Sequence, residues 1–197
     1  MLPRGIRNNN PLNIRRSKDQ WKGLRAQQTD ASLTSGRLSS RSADSKQASV
    51  CSHYDAEFCQ FESLEYGWRA AFYLLTRTYY HQYRLFTIRA IINRWAPPRE
   101  NLTSTYIANV SRLTGIPPDE PIGIPSDQPE RWMAVGIAMA IQENGLIKRE
   151  QSELAHSAER EDGRAKLNGT DSLDYFAMLR GWGLARDPSV LRQAQEP

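Results

Sequence analysis

The stretch 132–145, WMAVGIAMAIQENG, constrains this chain more than any other. It is almost wholly apolar until it reaches one carboxylate, Glu143. At 100° per residue, Trp132, Val135, Met139 and Glu143 fall on one helical face. Gly145 supplies a C′ stop, Pro129 and Glu130 suit a first turn, and Asp127 suits the N-cap. A buried helix is therefore expected to carry a carboxyl group at its own C-terminal end. Apolar neighbours and the negative end of the helix dipole both disfavour charge at such a place. That is the environment of a general acid for glycoside cleavage. One Glu after an apolar run also fits an exposed residue at a frayed helix end, so the rest of the chain has to decide.

A length of 197 residues suits one domain with an appendage. The net charge of +4 and a pI near 9.2 suit an anionic partner, whether cell wall, nucleic acid or membrane surface, without choosing among them. No apolar run reaches about 18 residues, so no membrane span is expected. The opening MLPRGIRNNN lacks the apolar core of a secretory signal. The expectation is synthesis in the cytoplasm, and a virion, periplasmic or cell-wall destination reached without a Sec signal. Cys51 and Cys59 are too few for a disulfide scaffold and have no companions at zinc spacing. Cys59, in FCQF, reads as a small buried thiol. No metal site and no organic cofactor is implied.

Along the chain, RGIRNNNPLNI at 4–14 cannot continue a helix through three asparagines and a proline. Its amides suit a turn that shapes a polar cleft, or a surface turn closed by Asx hydrogen bonds. WKGL at 21–24 suggests a short strand or hairpin, and EFCQF a short strand that enters a helix. Residues 32–52 are Ser-rich and read as a flexible inserted loop. From Ser63 the period turns helical, with Leu64, Trp68, Phe72, Leu75 and Tyr79 at spacings of three and four. Thr87 is expected to cap a second helix with Ile88, Ile91, Ile92 and Trp95 as its stripe, stopped by Pro97 and Pro98. Thr103 opens a third, with Tyr106, Ile107, Val110 and Leu113 inward and Gly115 at its end. A Pro-rich linker then leads to the Glu143 helix. Residues 149–170 are charged, and 171–184 suggest a short amphipathic helix.

Several of these stretches together resemble the lysozyme-like murein-degrading proteins of phage virions and of mobile elements in Bacteroides-type bacteria. The residues that carry the resemblance are RGIRNNNPLNIR, WKG, FCQFESLEYGWRAAF, the run from Thr87 to Gly115 containing RWAPPREN, and AIQENG. It covers roughly residues 4–147. Many murein glycosidases of that class place the Glu helix first, then an Asn-rich motif, an aromatic strand and a Tyr-containing helix start. Here NNNPLNI, FCQF and TSTYIANV keep that order while the Glu helix stands last. The resemblance thus implies a circular permutation that brings Glu143 beside Asn9, Asn10 and Asn13. The chain departs from the pattern in its Ser-rich insertion and in Leu12, where relatives tend to carry Gly.

The expected fold is mainly α, a lysozyme-like domain over 1–148 with a small irregular β element near 12–61, followed by a charged helical C-terminal extension over 149–197. The resemblance implies a glycosidase that cleaves the β-1,4 glycan of peptidoglycan, as lytic transglycosylase or muramidase, for phage entry, lysis or DNA transfer. Glu143 is the catalytic candidate. Asn9, Asn10, Asn13, Tyr106 and Glu100 are the substrate-binding candidates, and Asp30 or Asp55 could supply a second carboxylate. Trp95 could stack on a sugar, but its place in the Ile88–Ile91–Ile92 stripe favours the core. Glu62 and Glu65 suit the dipole at a helix start. The partners implied are peptidoglycan and the phage or conjugation machinery. A non-catalytic virion or conjugation protein that binds glycan is the alternative. The basic residues are scattered, without a nucleic-acid-binding signature, so no specific nucleic acid is expected. His53, His81 and His156 have no partner motif for a protease, and no GxSxG elbow or P-loop occurs.

Overall fold

The computed structural model describes residues 2–25, 54–98, 102–145 and 173–186. The inserted loop 32–52, Asp30, Glu100 and the charged stretch 149–170 lie outside the described residues. The architecture is mainly α. Short α1 (Arg4–Arg7) leads into the Asn turn. Helix α2 (Leu64–Tyr73) runs on as a π-helical segment, Leu74–Gln82. Then follow α3 (Ile88–Trp95), α4 (Thr103–Thr114), α5 (Pro129–Glu143) and α6 (Tyr175–Arg186).

The expected β element is reduced, among the described residues, to isolated antiparallel bridges. Arg15 pairs with Phe58 and Leu24 with Phe61, so segment 54–61 lies between the Asn turn and the Trp21 turn. Thr87 pairs with Pro121, which fastens the Pro-rich linker to the start of α3.

Helix α5 is the centre of the core, as its apolar run requires. Trp132, Val135 and Met139 are fully buried, each contributing roughly 1.5–3 kcal/mol of transfer free energy. Trp132 also donates its indole N–H to the Gly123 carbonyl at 3.0 Å, which fixes the linker ahead of the helix. Pro129 stands in the first turn, but the N-cap is Gln128 rather than Asp127, without a side-chain cap. Gly145 takes φ +66°, the left-handed stop its position suggests. Thr87 caps α3 through the Ala90 N–H, and Gly115 ends α4 at φ +69°.

Periodicity alone would continue α2 unchanged to about His81. Instead the turns widen from Leu74, and the Tyr83 N–H reaches the Thr78 carbonyl five residues back at 2.9 Å. The wider turn directs both Tyr79 and Tyr80 inward. Tyr79 meets Trp95 edge-on at 6.3 Å between ring centroids, and Tyr80 meets Trp132 at 5.4 Å.

Residues 173–186 belong to the same core, although the sequence reading assigns them to an extension. Leu173, Ala177, Met178, Trp182 and Ala185 are all buried. The Trp68 indole donates to the Leu173 carbonyl at 3.0 Å, Trp182 sits edge-on to Phe72 at 5.0 Å, and Arg180 pairs with Glu65. Glu65, expected only to favour the helix dipole, thus also ties α6 to α2.

Candidate active site

The Asn turn is where local sequence and packing meet. Asn9 and Asn13 both adopt positive φ, 51° and 50°. Asparagine tolerates that left-handed region better than any bulkier residue. Asn10 is fully buried. Its amide donates to the carbonyls of Ile14 (2.9 Å) and Cys59 (3.0 Å), and its oxygen accepts from the Ile14 N–H (2.9 Å). Two glycines let this turn close on the core. A Cβ on Gly67 would stand 1.8 Å from the Asn9 carbonyl oxygen. One on Gly5 would stand 2.5 Å from Asn144 Oδ1 and 2.7 Å from the Asn10 carbonyl.

Those contacts bring the end of α5 against the turn. Asn144, the C-cap of α5, is buried and donates to the carbonyls of Pro11 (2.9 Å) and Ala140 (2.8 Å). Next to it, half-buried Glu143 is met by donors from three elements. The Trp95 indole N–H donates to Oε1 at 2.8 Å, and the Tyr106 hydroxyl to the same oxygen at 3.0 Å. Asn13 Nδ2 donates to Oε2 at 3.3 Å and to the Glu143 backbone carbonyl at 3.2 Å. The surroundings are more polar than the apolar run suggests. Burial first, then the charge of Glu143 and the hydrogen bond to it, hold the Tyr106 phenol well above its usual pKa. Tyr106 therefore keeps its proton and donates a hydrogen bond to Glu143 Oε1. Burial likewise raises Tyr79 to about 12.

A cleft of about 460 Å³ opens over this carboxylate. Asn13, Ile14 and Arg15 form one wall, and Tyr79, Trp95 and Ala96 line it from π segment and α3. Arg4 and Phe58 complete the lining with Glu143, the only carboxylate among the described residues there. Both arginines hold their guanidinium groups against Phe58, Arg4 at 4.6 Å and Arg15 at 5.4 Å from the ring centroid.

The sequence-derived candidates separate accordingly. Glu143, Asn13 and Tyr106 meet in one cluster, but only Glu143 and Asn13 line the cleft; Tyr106 is buried behind it, so it braces Glu143 rather than binding substrate as expected. Asn10 does not reach the cleft: its buried amide is consumed by the backbone of 14 and 59, so it builds the turn. Asn9 is also structural, since its amide donates to the carbonyls of Phe61 (3.1 Å) and Glu62 (3.4 Å). Glu100 falls outside the described residues. Asp55 does not line the cleft. Its oxygens accept from Asn8 (2.8 Å) and from the Glu57 and Phe58 N–H groups (both 3.1 Å). Burial pushes Asp55 up, but those bonds and the nearby Arg4 outweigh it and hold the carboxyl below its ordinary range. Trp95 is the main correction. It is half-buried rather than core, and it spans the stripe and the site, because its indole edge emerges where α3 ends before Pro97. Asn144 and Arg15 also escaped the sequence reading. An Asn directly after the Glu of QENG, at a helix end, is the signal that could have found the first.

Among the described residues no group of three or more His, Cys, Asp or Glu side chains could hold a metal ion, and no helix is long and apolar enough to cross a membrane. No family model matches the chain. Protein P5 of Pseudoalteromonas phage PM2 is 36% identical to it over 145 residues, which cover 72% of this chain and 71% of P5. At that identity and coverage, the chain belongs to the family of phage PM2 protein P5.

Proposed function

We propose that the protein is a lysozyme-like, circularly permuted peptidoglycan glycosidase of phage type, with Glu143 as its acid and base. The observation that carries this reading is the juxtaposition of Glu143 with Asn13 at a cleft large enough for a sugar, with buried Tyr106 donating to the carboxyl group from behind. The Asn turn and the end of α5 are 130 residues apart in sequence, yet they share hydrogen bonds, as a permuted lysozyme-like site requires. Membership beside a phage protein suits a role in entry, lysis or DNA transfer through the wall.

In this reading Tyr106 and Trp95 hold Oε1 from inside, and Asn13 steadies Oε2 at the cleft. Glu143 gives its proton to the glycosidic oxygen as the bond to C1 breaks. The carboxylate left behind takes the proton of the sugar's own 6-hydroxyl, whose oxygen closes on C1. The products are an anhydro sugar and a shortened strand, and the carboxylic acid is regenerated. One carboxylate suffices for this transglycosylase route. A muramidase route instead adds water and in most such enzymes uses a second carboxylate, about 5 Å away for retention or about 6.5–9.5 Å for inversion.

A second reading has its own support. Three donors also satisfy Glu143 as a structural carboxylate would need, which fits a virion protein that keeps the fold and binds glycan. Turbidity of purified cell walls separates the two. The enzyme should clear them and Glu143→Gln should not; a wild-type protein that binds walls without clearing them supports the structural role.

A further inference from the structure

The cleft carries a positive charge that the cleavage chemistry does not use. Three arginines surround segment 54–58. Arg4 lies 3.6 Å from Asp55 and 3.8 Å from Glu57. Arg16 donates from Nε to the Asp55 carbonyl at 2.8 Å and stands over the Tyr54 ring at 4.8 Å. Both are committed to holding the segment. Arg15 has no ion pair and no side-chain hydrogen bond among the described residues, and it is exposed. Its one contact of note is the face of Phe58. Its backbone is nonetheless fixed, because Arg15 bridges to Phe58 and the preceding Ile14 carbonyl accepts from Cys59 at 2.9 Å and from Asn10. A firmly mounted, unpaired guanidinium thus lines the same cleft as Glu143. A fork of N–H donors suits a carboxylate better than it suits neutral hydroxyls.

We propose that Arg15 is a specificity-determining residue that binds a carboxylate borne by the glycan, so that the cleft prefers an acidic polysaccharide over a neutral one. This deepens the reading of the cleft as a glycan site and rests on it. In a murein strand the carboxylate has two sources: the lactyl groups, once stripped of peptide, or the stem peptides of intact material. The preference lies in binding, so it appears in Kd and KM and leaves kcat nearly untouched.

The test compares the Glu143→Gln protein, which cannot turn substrate over, with the same protein carrying Arg15→Gln or Arg15→Lys. Binding is measured to three polymers: a chito-oligosaccharide without carboxylates, peptide-stripped murein strands, and intact murein. Arg15→Gln should weaken binding to the acidic polymers roughly tenfold, the worth of one charge-assisted hydrogen bond, and leave the neutral one unchanged. Arg15→Lys should recover part of the loss. Added salt should erase the difference. A loss confined to stripped strands assigns the lactyl carboxylate, and one confined to intact murein assigns the stem. Equal losses on all three polymers, or no loss on any, overturn the proposal. Melting curves of the same variants should coincide, since Arg15 is exposed. Clearing by the protein with Glu143 intact is read separately: its failure sinks the glycosidase reading and leaves the binding result to decide Arg15.

Discussion

At the residue scale, the site depends on how few atoms surround Glu143. Tyr106 and Trp95 share one carboxylate oxygen, and Asn13 reaches the other. Tyr106→Phe removes one donor and leaves the ring in place. It should slow wall clearing about tenfold, the rate equivalent of about 1.4 kcal/mol, and lower the melting temperature by no more than the few degrees that one lost hydrogen bond costs. An unaltered rate would return Tyr106 to the core. Asn13 needs a subtler pair of variants because it supplies both an amide and a positive φ. Asn13→Gly keeps the backbone state and Asn13→Ala strains it, at roughly 1–2 kcal/mol. Both should lower activity, and Asn13→Ala alone should melt earlier; initial rates with thermal melts check this. Glu143 and the Asn turn are legible as local signals, an apolar run ending in Glu and a polar turn, whereas the pairing of Asn13 and Tyr106 with Glu143 follows only from the resemblance. The interior place of Asn10 was not legible. Its burial arises only when Cys59 closes over it from 49 residues away. Trp95 was misread because helical spacing tells which side of α3 a residue takes, not where the ring edge ends.

At the scale of elements, the Asn turn is a clamp between α2 and the end of α5. Gly67 is the hinge point of that packing. In an exposed helix, Gly→Ala stabilises by up to about 1 kcal/mol. Here the added Cβ would meet the Asn9 carbonyl at 1.8 Å, so the sign reverses. Gly67→Ala should destabilise by about 1–3 kcal/mol, the usual cost of overpacking, read in a denaturant titration. Segment 54–58 is held by Asp55, whose lowered pKa fixes a pH dependence. Its stabilisation is fully present above the unfolded value of about 3.9 and is lost as pH falls through the lower folded value. Asp55→Asn should therefore melt below wild type at pH 7, by the equivalent of about 1–2 kcal/mol. The gap should begin to narrow below about pH 4, and paired melts at pH 7 and 3 measure it. Helix starts at Ser63, Thr87 and Thr103 and stops at Gly115 and Gly145 were legible, although only Thr87 caps its helix through its side chain; the glycine stops act locally through their left-handed φ. The π-helical widening after Tyr73 was not, because a period of three and four continues across it.

At the scale of the whole molecule, α6 closes the far side of α2, opposite in sequence to where the resemblance ends. The helix itself is legible in the amphipathic stretch 171–184, but its place in the common core through Met178 and Trp182 is not, because the charged stretch 149–170 before it reads as the start of a separate extension. Trp182→Ala should cost about 3–5 kcal/mol and unfold the domain as one unit, with tryptophan fluorescence and circular dichroism moving together. Separate transitions would make α6 an independent extension after all. Whether this fold delivers Glu143 to a murein strand as acid and base is read most directly by mass spectrometry of purified murein incubated with the wild-type protein and with Glu143→Gln. Soluble muropeptides are expected from the wild type, ending in anhydro sugars if the 6-hydroxyl attacks and in hydrated sugars if water does, and none from a Glu143→Gln protein of equal melting temperature. Equal release by both proteins, or release by neither from walls that the wild type demonstrably binds, would contradict that role of Glu143.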